Sequence, residues 1–134
     1  MADGEFKIGL NEVQVGIPLP AVILAALRRQ VGPRHAERLA TAGLLMSPAQ
    51  ALEIGLVDEL APTQHVVERA LAWCKNLIAL PAEAMTATRY EARADLIAIF
   101  GHDLDAELKK VSASWWHPET QATLRAVVDR LKKR

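Results

Sequence analysis

Apolar and polar positions fall into two regimes along the chain. From Phe6 to Ile17 the apolar residues are isolated: Ile8, Leu10, Val13, Val15 and Ile17 are separated by Gly9, Asn11, Glu12, Gln14 and Gly16. Val13 and Val15 flank Gln14 in the period-two alternation of a half-buried strand. Residues 6–10 and 12–15 are therefore predicted to be short extended segments. The glycines between them mark sharp turns or close backbone approach. After Pro20 the pattern becomes helical. "AVILAALRRQVG" (21–32) is apolar nearly all round for two turns, which predicts a buried helix. Arg28 and Arg29 fall in its last turn, favourable for the helix dipole, and Gly32 is placed to stop it. Pro33 then opens a second helix, "PRHAERLATAG", ending at Gly43.

"MSPAQALEIG" carries the clearest helix start. Ser47 is the predicted cap, Pro48 the first helical residue, and Gln50 reaches back to close a capping box. Met46 and Ala51 are placed for a small hydrophobic staple. Gly55 ends this helix, and "LVDEL" (56–60) reads as a short strand. The remainder is predicted helical. "TQHVVERALAWCKNLIAL" sets Val66, Val67, Ala70, Leu71, Cys74, Leu77 and Ile78 at helical spacing. A further helix opens at Pro81 and reaches about Ala94, another runs from near Asp103 to Ser114, and the last starts at Pro118 and continues to the end. No repeat or linker marks a second independent domain.

Composition sharpens this picture by exclusion. The 134 residues are 51% hydrophobic and 24% charged, the profile of one globular domain rather than a disordered chain. Sixteen basic residues balance sixteen acidic ones, so no net field draws the chain to nucleic acid or anionic lipid. The most apolar window, Ile17 to Leu27, contains two prolines and is too short to span a bilayer. A single cysteine, Cys74, excludes an internal disulfide and fits a reducing compartment. The four histidines form no pair at ligand spacing, and "HDLDAE" (102–107) lacks the pattern of a calcium loop, so no metal site is predicted. Trp115 and Trp116 are read as packing residues, one in the core and one at an interface or helix boundary. Their alternative use, stacking on a nucleic-acid base, lacks a surrounding basic patch.

Glu12 is the candidate for chemistry. It is the one carboxylate within an aliphatic run. Burying an unpaired carboxylate is costly, and an apolar setting favours the protonated form that general acid/base catalysis needs to share with the ionised one. Two structural alternatives stand beside this reading: an ion pair with a nearby Arg or Lys, or a strand-end residue facing solvent.

"FKIGLNEVQVGIPLP", followed by "VGPRHAERLATAGLLMSPAQALEIGLVDELAP", resembles the crotonase (enoyl-CoA hydratase/isomerase) superfamily, and within it the Δ3,Δ2-enoyl-CoA isomerase branch. The resemblance covers essentially the whole chain. It implies an α/β fold class: the C-terminal half of a crotonase-type ββα spiral, with short strands followed by a mainly helical oligomerisation region. Residues 1–32 would be the last part of the spiral core with the catalytic carboxylate, and residues 33–134 the helical oligomerisation region. Family members are roughly twice this length, and their upstream half supplies most of the spiral and the backbone N–H groups of the oxyanion hole. The chain is accordingly expected to be a C-terminal fragment, inactive alone.

The same resemblance implies an enzyme of fatty acid metabolism that moves the double bond of a fatty acyl-CoA from position 3 to position 2. Glu12, the glutamate of G-L-N-E, would be the single proton carrier. Ile17 and Pro18 would line the acyl pocket. Arg130, with Lys132 beside it, would meet the CoA phosphates, the alternative for both being a solvated basic tail. No cofactor is implied beyond the coenzyme A thioester, which is substrate. The implied partners are acyl-CoA and further copies in a trimer or hexamer, with no nucleic acid and no membrane; the implied location is cytoplasmic, or the mitochondrial matrix in a eukaryote. A hydratase (a lyase), another crotonase acting on acyl-CoA, and a non-catalytic oligomerisation module are the competing readings.

Overall fold

Helix boundaries follow the proline and glycine punctuation closely. The computed structural model describes residues 1–101 and 104–133. The helices are α1 (Ala21–Ala42), α2 (Pro48–Glu53), α3 (Val66–Ile78), α4 (Ala82–Glu91), α5 (Ala94–Phe100), α6 (Leu104–Trp115) and α7 (Pro118–Lys132). Gly32 interrupts α1 with φ 77° and ψ 161°, and Pro33 follows it, so α1 is two helical segments joined at a kink. This is the stop and restart predicted at those residues. Gly43 closes the second segment in the left-handed conformation, its N–H reaching the carbonyls of the last turn. The capping box of α2 is present in full: the Gln50 N–H donates to Ser47 Oγ, and the Ser47 N–H donates to Gln50 Oε1 at 3.0 Å. Met46 and Ala51, the predicted staple, are both buried. The predicted helix start near Asp103 lies outside the described residues. α5 was not anticipated as a separate element.

The strand predictions fail at two places. Residues 12–15 form a 3-10 turn, Glu12–Val15, rather than an extended segment. The β-branched valines favour a strand, but tertiary hydrogen bonds to this turn override that local preference. Residues 56–60 bend back over α2, with the Leu56 and Val57 N–H groups both donating to the Ala51 carbonyl, and form no strand. What remains of sheet structure among the described residues is two isolated bridges. Ala2 pairs in parallel with Ala61, and Ile8 exchanges both backbone hydrogen bonds with Met46, at 3.0 and 2.9 Å.

The described residues group into two compact units. One comprises residues 1–8 and 46–100, the other residues 9–45 and 101–134. The first holds α2 to α5 and both bridges, with Met46, Ala51 and Ala61 buried. Its α3 forms as its periodicity predicts, yet the apolar stripe is open: Val67, Leu71 and Ile78 are exposed, Ile78 by 76%. The second unit holds the 3-10 turn, α1, α6 and α7. Its core is Ile17, Leu27, Ala36, Leu39, Ala40 and Thr120. The first segment of α1 was expected to be buried all round; Leu27 is buried, but Ile23 is exposed and Val22 and Leu24 are half-buried. The tryptophan pair also departs from expectation. Both are exposed, Trp116 by 72% in the turn after α6, so neither is a core residue.

The Met1 ammonium donates to the Glu59 carbonyl at 2.6 Å, next to a two-pronged ion pair. Arg69 Nε and Nη2 donate to the two Glu59 carboxylate oxygens at 2.6 and 3.1 Å. The hydrogen bond from Arg69, more than its charge, holds the Glu59 carboxyl below the ordinary glutamate range.

Two outcomes follow from these contacts. Ser47→Ala removes the side-chain half of the capping box and should cost about 1 kcal/mol, read as a lowered denaturation midpoint. A carboxyl stabilised as the ion contributes to stability above its unfolded pKa and loses that contribution as pH falls through its folded value. Thermal scans across the acid side of the glutamate range should therefore show a shallower pH dependence for Arg69→Ala than for the parent chain, with the difference reduced by salt, since both groups are exposed.

Candidate functional site

The site is built on the short turn that carries Glu12. Backbone hydrogen bonds open and close it: the Gln14 N–H to the Asn11 carbonyl at 3.0 Å, the Gly16 N–H to the Val13 carbonyl at 3.1 Å, and the Ile17 N–H to the Glu12 carbonyl at 3.0 Å. Gly16 ends the turn at φ 79° and ψ 17°, a left-handed conformation that strongly favours glycine. A 3-10 turn of four residues holds itself weakly, and here long-range contacts from two sides supplement it.

On one side, Gln14 Nε2 donates to the Gly43 carbonyl at 2.8 Å and lies 3.4 Å from that of Ala42. The amide thus satisfies carbonyls left open at the C-terminus of α1. Gly43 allows this approach: a Cβ there would lie 2.8 Å from Gln14 Cγ and 2.9 Å from Val13 Cγ1. On the other side, Thr120 in the first turn of α7 donates its hydroxyl to the Gly16 carbonyl at 2.9 Å. Thr120 is only 2% exposed, and a Cβ on Gly16 would meet its Oγ1 at 2.9 Å and its Cα at 3.2 Å. A further contact ties α6 to the same unit. Glu107 Oε2 accepts the Ala21 N–H at 2.9 Å, placing a carboxylate at the N-terminus of α1, where Pro20 offers no side-chain cap.

Within this frame Glu12 is half-buried, and its Oε2 is fully buried without a hydrogen-bond partner. No salt bridge to Glu12 is found among the described residues, so neither the ion-paired nor the solvent-facing alternative describes that oxygen. A buried acceptor of this kind is uncommon and costs on the order of 1–3 kcal/mol or more. Ile17, directly after the turn, is 8% exposed, whereas Pro18 is exposed. Arg130 lines a cavity of about 280 Å³ with Asn11, Gln14, Val15, Val127 and Leu131. The fold thus brings Arg130 to the residues flanking Glu12, though Glu12 itself does not line this cavity. Lys132 is exposed in the last turn of α7 and stands apart from it. Among the described residues no cluster of His, Cys, Asp and Glu could hold a metal ion, and no helix is long and apolar enough to cross a membrane. Sequence reasoning missed Gln14, Thr120 and Glu107. Each acts over a separation of 29 to 104 residues, and no local pattern assigns any of them its partner.

The profile of the enoyl-CoA hydratase/isomerase family matches residues 1–133. The chain belongs to the enoyl-CoA hydratase/isomerase family. Human mitochondrial enoyl-CoA delta isomerase 1 is 32% identical over 128 residues, which is 96% of this chain and 42% of the relative. The crystal structure of human mitochondrial delta3-delta2-enoyl-CoA isomerase superposes with a TM-score of 0.89, at 32% identity over 99% of this chain and 52% of that one. Carnitinyl-CoA hydratase from Mycobacterium avium shares the fold, with a TM-score of 0.74 at 21% identity over 92% of this chain and 49% of the other. The chain spans about half the length of these family members.

The Gly43 contact makes a prediction for this family member. Gly43→Ala would both strain a residue at φ 59° and push on Gln14 and Val13. It should destabilise by more than the ~1 kcal/mol that separates alanine from glycine in the left-handed region. Denaturant titration with amide exchange at Gln14 to Ile17 would show the turn loosening; an unchanged midpoint would mean that the Gln14 contact is not made in solution.

Proposed function

We propose that this chain carries the acid/base group of an enoyl-CoA isomerase that moves the double bond of a fatty acyl-CoA from position 3 to position 2. The observation that carries the reading is the buried, unpartnered Oε2 of Glu12 on a turn fixed from two sides. A carboxylate oxygen left unpaired in a protein interior is free to meet a proton on a substrate carbon.

In this reading Glu12 takes a proton from C2 of a 3-enoyl thioester. The electrons of that C–H bond enter a dienolate whose oxygen is held by two backbone N–H groups of the kind the family uses, each worth a few kcal/mol. The protonated Glu12 then returns the proton at C4, the double bond settles between C2 and C3, and the carboxylate is regenerated. One group serves both steps, with no cofactor beyond the coenzyme A thioester itself. Ile17, directly after the turn, and Pro18 line the acyl pocket in this reading. Arg130, beside the Glu12 turn, receives the CoA phosphates through charge-assisted contacts, and Lys132 adds long-range attraction. The exposed stripe of α3 fits assembly as a trimer or hexamer, in a cytoplasmic or mitochondrial-matrix setting, and residues 33–134 serve as the oligomerisation region of such an assembly.

The test is Glu12→Gln, read in a complete enzyme that carries residues 1–134 as the matching half of the family fold. Acyl-CoA binding should persist, while kcat for conversion of 3-enoyl-CoA to 2-enoyl-CoA should fall by at least the ~10²–10⁴ typical of a lost general base. A folded, ligand-binding variant that still turns over within a few-fold would remove Glu12 from the mechanism. Formation of a 3-hydroxyacyl product by the parent enzyme, instead of the 2-enoyl product, would assign the chain to the hydratases.

A further inference from the structure

The Glu12 turn depends on a residue that lies in no catalytic motif. A four-residue 3-10 turn has poor hydrogen-bond geometry of its own. The buried Oε2 gives it a standing reason to open, because any fluctuation that exposes this oxygen gains it water. Something outside the turn must therefore keep it closed. Gln14 secures the centre of the turn to the end of α1. The exit, where Gly16 adopts the left-handed conformation and Ile17 enters the core, is secured by the Thr120 hydroxyl alone among the described side chains. Thr120 is the one buried polar side chain among the described residues of the core. Its hydroxyl has a single aim, the Gly16 carbonyl, and the missing Cβ of Gly16 is the space its Oγ1 and Cα fill.

We propose that Thr120 is a positioning residue for Glu12: through the Gly16 carbonyl it locks the exit of the turn and keeps Glu12 Oε2 out of solvent and the carboxyl in one orientation. The role assigned to Thr120 rests on the reading of Glu12 as the base, but its effect on the carboxyl is physical and is measured without turnover. Valine in place of threonine keeps the shape and removes the donor, so the Gly16 carbonyl loses its tie to α7. Serine keeps the donor. Cysteine keeps the size with a much weaker one.

The test uses the 134-residue chain with ¹³C-labelled glutamate carboxyls, the Glu12 resonance being assigned by its loss in Glu12→Gln. A soluble gadolinium chelate reports how far each carboxyl is exposed to solvent. In the parent chain the Glu12 resonance should be relaxed far less than those of exposed glutamates such as Glu83 and Glu91. In Thr120→Val its relaxation should rise several-fold and its shift should move, with Glu83 and Glu91 unchanged. Thr120→Cys should fall between, and Thr120→Ser should restore the parent signature. If the valine variant fails to fold, the cysteine and serine pair carries the comparison. A Glu12 signature that stays the same in every folded variant overturns the proposal. So does a uniform change at all glutamates, which would make Thr120 an ordinary core residue. Neither result touches the separate question of whether Glu12 is the base, which the turnover of Glu12→Gln decides.

Discussion

A single side-chain to backbone hydrogen bond, from Thr120 to the Gly16 carbonyl, is the constraint on which the site depends. Gly16 is itself exposed, but its left-handed conformation presents its carbonyl to the buried Thr120 hydroxyl in the first turn of α7. The hydroxyl reaches it only because glycine has no Cβ to hold the helix off. Conformation, close approach and hydrogen bond thus require one another, and a change to any of the three releases the other two. The Gln14 contact repeats the logic at Gly43, another left-handed glycine whose missing Cβ admits a side chain from the turn. Two glycines, one amide and one hydroxyl therefore fix four residues that would not hold their shape alone.

This economy explains how a buried carboxylate oxygen is tolerated without a partner. The turn sits in a unit with a small core: Ala36 is fully buried, and Leu39, Ala40, Ile17 and Leu27 are buried in the same unit. Natural proteins break the rule that buried polar groups are paired chiefly where chemistry needs the open acceptor. The chain belongs to the enoyl-CoA hydratase/isomerase family, and the proposed base is the Glu12 carboxylate.

The other unit shows the reverse balance. Its helices are specified by local signals, above all the complete Ser47–Gln50 capping box, yet the stripe of α3 remains open to solvent. Periodicity dictates that a helix will present an apolar face; it does not dictate that the same stretch of chain will cover it. The tryptophan pair makes the same point, since an aromatic residue is selected for burial only by whatever comes to lie against it.

What the sequence determined by itself was the helical framework and the identity of the candidate base. Proline fixes φ and glycine alone tolerates the left-handed region at little cost, so Gly32–Pro33, Gly43, Pro48 and Pro118 mark helix boundaries locally. Glu12 stood out as a lone carboxylate among aliphatic residues, a pattern that left structural alternatives open, and the family resemblance of G-L-N-E made it the candidate base. The form of its segment was not legible. Alternating valines predict a strand, and only contacts from Gly43 and Thr120, residues 29 and 104 positions from their partners, turn it into a 3-10 turn. The predicted strand after α2 was lost for a related reason: a strand exists only where a neighbour supplies a ladder, and at that edge the β-bridge among the described residues joins Ala2 to Ala61, beyond residues 56–60. Whether Arg130 meets the Glu12 turn was likewise settled in three dimensions, by the packing of α7 that Thr120 begins. Local chemistry is written in adjacent residues, whereas the setting of a site depends on which distant backbone groups come close enough to share a hydrogen bond.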